Sequence, residues 1–462
     1  MKKHLILVLA LALVAGLTVG AYAEVQNVKV SGDITVLGLG RQLSLTSQKA
    51  ETTMASITRL RVDADLTDNV IATVRLINER YWGTNGNATT SVTPATSSEN
   101  TAIDLDLAYV TLKEFLYSPL TLTVGRQELH FGNDMIIGDA YTNNQASKDS
   151  AFNTTIDKDL SMRKSFDSIR ATLNYDPLVI DVVAAQVKQN YRTQPNSANA
   201  TTSLSIDDQE TLIGMNANYA ISKTMDVEGY FWQKRIGKDN KQTVTTIAKT
   251  DYTNVAGARI VAKPMDILTY QLESAFQFGE ATTTTGTLDR RAWALETMAT
   301  LDLRNIKAIT KYKPMASVLF AYFSGDRGKN SGSKTYGGWD PMYENQTFGN
   351  IANTLINQTN MYVAGGNLTA KPVDDVTLKG EYYTYWWDKR VSGAGNAVAT
   401  GESLTFTGKK FIGQELDLTA TYDYTEDVQF GLLGGWFITG SSFAGANKNT
   451  AGEVIGSMKV TF

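Results

Sequence analysis

The chain has 462 residues with 43 Lys and Arg, 47 Asp and Glu and no cysteine, which gives a formal net charge of −4 at pH 7. Without cysteine it holds no disulfide, thiolate metal site or c-type haem attachment. The acidic balance excludes a general nucleic-acid binder, for which a basic surface is expected. Neither a nucleic-acid partner nor a metal or other cofactor is predicted.

The N-terminus decides the compartment. Residues 1–23, MKKHLILVLALALVAGLTVGAYA, carry two lysines, an apolar run from Leu5 and small residues at Ala21 and Ala23. This pattern predicts a cleaved secretory signal peptide over 1–23; a signal anchor is the alternative, for which the apolar run is short. No later stretch reaches the roughly 18 apolar residues of a membrane helix. The mature chain, 24–462, is therefore either exported and soluble or crosses a membrane as a barrel.

Alternating segments joined by turn residues recur along the mature chain. TRLRVDADL, TDN and VIATVRLINERYW form one hairpin, and LDLAYVTLKEFL, YSP and LTLTVGRQELHF form the next. Long polar segments, including 132–163 and 327–358, separate such hairpins. Short turns on one side and long loops on the other are typical of outer-membrane barrels. The pattern predicts an all-β fold: one transmembrane antiparallel β-barrel domain over 24–462, with short periplasmic turns and long extracellular loops.

The strand count from Val28 to Phe462 is about eighteen. Sixteen and twenty stay open because residues 302–315 are too many for a tight turn and could hide two short strands. An even count puts both chain ends on the short-turn side.

Alternation also predicts which side chains face inward. In the second strand Leu60 and Val62 share one face, and Arg59 and Arg61 share the other. Because an arginine facing lipid at the bilayer midplane costs about 2–4 kcal/mol, the charged face should be the inner one. The pore-lining candidates are Arg59, Arg61, Asp63, Asp65, Arg75, Glu79, Asp104, Asp106, Arg126, Arg170, Arg259, Glu296, Lys379 and Glu381.

Aromatic residues cluster near the loop-side strand ends, where they are interpreted as an interfacial girdle. A soluble β-helix or propeller would instead carry a regular repeat motif, which the sequence lacks. The clusters are Tyr81 and Trp82, Phe131, Phe231 and Trp232, Tyr322 and Phe323, Trp386 and Trp387, and Trp436 and Phe437.

Two features resemble known proteins. The final alternating stretch, AGEVIGSMKVTF, resembles the C-terminal strand of Gram-negative outer-membrane proteins that the barrel-assembly machinery reads, which makes Phe462 the assembly signal. LTVGRQELHFG at 122–132 and FAYFSGDRGKN with TYGGWDPMY within 320–343 resemble the alginate-export family of outer-membrane channels.

This resemblance implies a monomeric eighteen-stranded barrel that passes a polyanionic polysaccharide through an arginine-lined constriction, surrounded by outer-membrane lipid and served by periplasmic export partners. Matching residues are Arg126 in VGRQ, Arg170 in FDSIRATLNY and Asp326 at the base of the longest loop. Simple alternation points Arg126 at lipid. Either a bulge at Gly125 turns its side chain inward, or Arg126 lies at headgroup level.

The predicted function is an outer-membrane channel for hydrophilic solutes or an anionic polysaccharide such as alginate. Rings of Arg or Lys favour anions, yet acidic side chains outnumber basic ones on the predicted inner faces. A general or neutral-solute porin and a loop-plugged structural or adhesin barrel therefore remain alternatives. An enzyme is not expected, because a hydrolase would rest on one histidine of the mature chain, His130.

Overall fold

A computed structural model describes residues 27–47, 49–83, 103–141, 156–194, 203–238, 251–283, 286–304, 306–326, 334–396, 402–445 and 447–462. The signal-peptide prediction falls on residues outside this part of the chain. Among the described residues, no helix is both long and apolar enough to cross a membrane.

Eighteen strands form one closed antiparallel barrel, which confirms the predicted fold. In chain order they are β1 (Asn27–Gln42), β2 (Glu51–Thr67), β3 (Val70–Tyr81), β4 (Asp104–Leu112), β5 (Leu120–Gln127), β6 (Phe166–Asn174), β7 (Leu178–Gln194), β8 (Ser203–Ser222), β9 (Met225–Lys238), β10 (Asp251–Met265), β11 (Leu268–Thr283), β12 (Gly286–Asp302), β13 (Met315–Phe323), β14 (Met361–Val373), β15 (Val376–Trp387), β16 (Phe411–Asp423), β17 (Val428–Thr439) and β18 (Ala451–Thr461).

The last strand closes the barrel against the first. β18 pairs with β1 in a register that sets Asp33 opposite Thr461. The backbone of Phe462 adds two hydrogen bonds to Gly32, with N···O distances of 3.0 and 2.8 Å. Closure therefore pairs the edges of both strands over residues 33–42 of β1 and 452–461 of β18.

Short connections lie on one side of the barrel and most long ones on the other, as predicted. The turns at 68–69, 223–224, 266–267 and 374–375 have two residues each, whereas the described segments 128–141, 156–165 and 334–360 lie on the opposite side. Two connections depart from this pattern: β12 follows β11 after two residues on the long-loop side, and the connection from β12 to β13 has twelve residues on the short-turn side. Within 302–315, where two extra strands were an open alternative, the described residues between β12 and β13 form turns and a 3₁₀ helix at Thr310–Tyr312. The smaller elements on the long-loop side are a 3₁₀ helix at Lys158–Leu160, a two-residue strand at Thr335–Tyr336, helix α1 (Asn350–Leu355) and a hairpin of Ser392–Asn396 with Ser403–Thr407.

The aromatic pairs are split between the two faces of the wall. Phe231 and Trp436 are about two-fifths exposed on the outside, whereas Trp232 and Phe437 are fully buried in the interior. Since successive side chains of a strand point to opposite faces, two adjacent aromatic residues cannot both belong to an outer girdle. The girdle interpretation is therefore wrong for the inward member of each of these pairs.

The outward face should tolerate no charge near its middle. Val318, in the centre of β13, is 64 % exposed, and its neighbour Ser317 faces inward, where its hydroxyl lies 2.9 Å from that of Thr300. We expect Val318→Arg to lower the free energy of unfolding in lipid vesicles by about 2–4 kcal/mol. This change in the free energy of unfolding is measured by denaturant titration, with tryptophan fluorescence as the signal. Ser317→Arg is the matched control, and an equal loss in both variants would contradict the assignment of the faces.

Candidate functional site

Loops fold into the barrel and pack against its inner wall. We call the described segments 128–141, 156–165 and 334–360 the inner loops. Met135, Ile137 and Tyr343 of these loops are buried in one apolar cluster with wall residues such as Trp232 and Phe437. A second cluster joins Ile156 and its loop neighbours to the inner faces of β1, β2 and β3. The interior therefore has apolar cores of its own, and the space left for solutes lies beside these loops.

Buried carboxylates of the wall hold the inner loops. Glu79 accepts hydrogen bonds from the hydroxyl of Ser161 (3.0 Å) and the backbone N–H of Met162 (2.7 Å). Glu415 accepts the backbone N–H groups of Ile351 and Ala352 at the start of α1, both at 2.7 Å. A carboxylate is well placed there, because the first N–H groups of a helix lack partners within it.

The opposite side of the wall repeats this arrangement. Glu228 accepts the backbone N–H of Gly132 at 3.0 Å. Glu296 accepts hydrogen bonds from the side-chain amides of Asn133 and Gln346. Loop residues thus satisfy wall carboxylates that would be costly to bury alone.

Most predicted pore-lining arginines are engaged by carboxylates. Arg59 forms a bidentate pair with Asp33, with N···O distances of 2.5–3.1 Å. Arg75 bonds Asp106 at 2.6 Å and also contacts Glu128. Other pairs among the predicted residues are Arg61 with Asp63, Arg170 with Asp181, Arg259 with Glu228, Lys379 with Glu381, and both Glu79 and Asp104 with Arg163.

Three other predicted residues lie at the ends of the wall. Asp65 is near the short-turn side, 3.5 Å from the side-chain amide of Asn27. Asp326 accepts the backbone N–H of Gly337 at 3.0 Å, eleven residues further along the same loop. Phe462 is 58 % exposed at the barrel seam.

Arg126 lies on the outer face of the barrel. It pairs with Ala108 and Asp167, and the register runs through Gly125 without a shift. Cross-strand partners share a face, and Asp167 alternates with the exposed Ile169. Gly125 takes a φ of +128° but adds no unpaired residue, so it does not turn Arg126 inward. Of the two placements of Arg126 that the sequence left open, the structure therefore has the outward one.

The Arg126 side chain is held at the loop-side end of β5. Its guanidinium donates to the hydroxyls of Ser165 and Tyr141, both at 3.1 Å, and lies 3.7 Å from Asp167. Arg126 thus ties the outer rim to the ends of two segments of the inner loops, at Tyr141 and Ser165.

A cavity of about 410 Å³ remains between the inner loops and the wall. It carries three basic and three acidic side chains, one histidine, and amide and hydroxyl groups. The charged and titratable lining residues are Arg41, Arg59, Lys164, Glu128, Asp159, Glu453 and His130.

Arg41 is the centre of the charge network at this cavity. Its side chain is 6 % exposed and contacts Asp157 (3.1 Å), Asp159 and Glu453 (2.9 Å). One cation thereby joins two wall strands to the inner loop 156–165. Arg41 and Glu453 are not among the predicted pore-lining candidates, although strand alternation could have identified both. Glu453, for example, shares the polar face of Ser457 and Lys459. No comparable signal marks Asp159, which lies in a loop.

Glu344 is a buried titratable group of the inner loops. It is 1 % exposed, and its carboxylate accepts the backbone N–H of Gln346 at 2.7 Å. Burial, opposed by this hydrogen bond, raises the pKa of Glu344 to about 8.

The comparisons with known proteins match this architecture. The family described as alginate export matches residues 40–457. The fold is similar to that of OccK3 (OpdO) of Pseudomonas aeruginosa, with a TM-score of 0.55 and 10 % identity over 95 % of this chain and 96 % of that one. OccAB1 of Acinetobacter baumannii is similar with a TM-score of 0.55 and 11 % identity over 96 % and 99 % of the two chains. No curated protein matches the chain.

The Arg41 network predicts how the loop 156–165 is retained. Arg41→Met removes the cation from Asp159 and Glu453, and leaving buried charges unpaired costs about 3–5 kcal/mol. We expect loop 156–165 to detach and single-channel conductance in a planar bilayer to rise. Arg61→Met is the control, because Arg61 pairs with Asp63 on its own strand. Unchanged conductance in Arg41→Met would refute this role.

Glu344 predicts a pH dependence. Its pKa is raised above the ordinary 4.5, so its contribution to loop packing is complete below 4.5 and is lost as pH rises through about 8. We expect quiet single-channel currents at pH 7 and larger fluctuations at pH 9, and Glu344→Gln should stay quiet at both. Glu426→Gln, in a short turn, should behave as wild type. Equal noise at pH 9 in wild type and Glu344→Gln would be evidence against the mechanism.

Proposed function

Because the chain belongs to the alginate export family and forms an outer-membrane channel for solutes, we propose that it passes small hydrophilic molecules rather than an extended polyanion. The observation that carries this proposal is the cavity of about 410 Å³ beside the packed inner loops. Its volume falls within the roughly 300–1,000 Å³ of sites that enclose one small molecule.

The charge of the cavity supports the same conclusion. A polyanion path needs unpaired cations, since rings of Arg or Lys favour anions. Here Arg41 contacts three carboxylates and Arg59 forms a bidentate pair with Asp33. Cations that are already paired with carboxylates attract a uronate chain only weakly. Mixed charges with hydroxyls and amides instead suit neutral polar or zwitterionic solutes, which donate and accept hydrogen bonds.

The contacts of the described side chains argue against two other functions, alginate export and catalysis. Threading of alginate, which the family description suggests, would require Asp159 and Glu453 to leave Arg41 or the inner loops to move aside. For catalysis, His130 would need a nucleophile, whereas its ring nitrogen lies 3.0 Å from the carboxylate of Asp134. We therefore infer transport without a chemical step.

Ion selectivity tests the proposal. In a salt gradient we expect a reversal potential that is close to zero or shows weak cation selectivity, because acidic and basic side chains balance at the cavity. Glu453→Gln should shift the reversal potential toward anion selectivity, since Arg41 would then contact two carboxylates instead of three. Asp302→Asn, which removes a carboxylate at the short-turn rim, is the matched control.

Solute flux provides the second readout. Vesicles containing the protein should swell in a neutral disaccharide and not in uronate oligomers. Strong anion selectivity together with uronate flux would overturn the proposal in favour of polysaccharide export.

A further inference from the structure

The connection 303–314 differs from every other short-side connection in the described chain. It joins β12 to β13 with twelve residues, LRNIKAITKYKP, whereas four of its counterparts have two. We call it the basic rim segment. Nothing in the proposed transport function accounts for its length or composition.

Most of the backbone hydrogen bonds among the described residues of the segment span three residues, and Thr310–Tyr312 form a 3₁₀ helix. Backbone N–H groups of Ile306, Ile309 and Tyr312 donate to the carbonyls three residues earlier, at 3.1, 2.9 and 2.9 Å. With three residues per turn, Leu303 lies on the same edge as these three side chains. Ile306 and Tyr312 are 42 % and 39 % exposed. One edge of the segment is thus apolar and partly uncovered.

The other edges are cationic. The segment contains Arg304, Lys307, Lys311 and Lys313 and no acidic residue. Arg304 pairs with Asp302 and Lys313 with Asp374, at 2.5 and 2.7 Å, and these pairs fix the two ends to the rim. Within the described part of the chain, Lys307 and Lys311 pair with no carboxylate, and both are exposed.

The apolar edge continues the lipid-facing wall. Leu301 near the end of β12, Met265 at the end of β10 and Ile267 in the turn that follows it are exposed at the same end of the barrel. The pair of Lys313 with Asp374 holds the segment under β13 and β14. The segment therefore lies at the short-turn end of the lipid-facing wall, where it exposes the apolar side chains of Ile306 and Tyr312 together with Lys307 and Lys311.

We propose that the basic rim segment binds anionic phospholipid headgroups of the periplasmic leaflet. Amphipathic segments with Lys and Arg on one side and apolar residues on the other lie in the membrane interface. Each basic residue near an anionic surface adds about 1 kcal/mol. The neighbouring turns carry the acidic residues Asp266, Asp374 and Asp375, and the next short turn carries Glu426, so this segment gives a largely acidic rim one preferred contact with anionic lipid.

Native mass spectrometry of the full-length barrel in a zwitterionic detergent tests this assignment without any measurement of transport. The probes are phosphatidylglycerol and phosphatidylcholine. We expect wild type to bind phosphatidylglycerol preferentially, and Lys307→Gln/Lys311→Gln to lower that preference roughly thirtyfold. Both lysines are exposed, so the variant should fold normally, and heat-dependent gel mobility checks this.

The control removes two lysines from other short turns, Lys113→Gln/Lys223→Gln. It should keep the preference of wild type. Equal losses in both double variants would show a general charge effect and overturn the proposal. It would also be overturned if Lys307→Gln/Lys311→Gln kept its lipid preference and instead lost binding of a uronate oligomer, because the segment would then serve a soluble polyanion.

Discussion

The structure depends on buried carboxylates of the barrel wall that accept hydrogen bonds from the inner loops. Glu79, Glu228 and Glu415 are at most 4 % exposed, and each receives at least one loop backbone N–H. A carboxyl group buried without partners is expensive, and so is an N–H buried away from water. Wall and loops therefore satisfy each other. An eighteen-stranded barrel encloses a wide interior. The loops that are held inside by this mutual requirement narrow the space that is open to solutes.

The same requirement shapes the passage. Once the loops occupy much of the interior, charged groups meet at short range, and the two arginines that line the cavity, Arg41 and Arg59, are paired with carboxylates. Arg41 joins β1, β18 and the loop 156–165 through three carboxylates. The electrostatic character of the channel is thus decided by local pairs at the cavity, and the mean charge of the wall says little about it.

Much of the fold could be predicted from the sequence, because strand alternation and turn residues are local signals. The eighteen strands, the closing β18 and the unequal connections all follow from them. The position of the loops could not be predicted in this way, since it depends on contacts between distant residues. A partial signal existed: MII at 135–137 is too apolar for an extracellular loop that is only solvated.

The candidate site shows where period-two reasoning stops. It separates Arg59 from Leu60, but cannot tell that Asp33 neutralises Arg59 or that Asp159 reaches Arg41 from a loop. It also assigned Trp232 and Phe437 to a girdle, although adjacent aromatic residues must divide between the two faces. Arg126 follows alternation strictly, and the bulge that would have brought it inside is absent from the continuous register at Gly125.

The central claim is that the inner loops lie inside the barrel while it conducts. The chain has no cysteine, so a pair placed at Thr253 of the wall and Asp340 of the loop, whose side-chain oxygens are 3.3 Å apart, can be joined by a short thiol cross-linker without background. Conductance of Thr253→Cys/Asp340→Cys should be the same before and after cross-linking. A cross-link that closes the channel, or one that never forms in the folded barrel, would contradict the account.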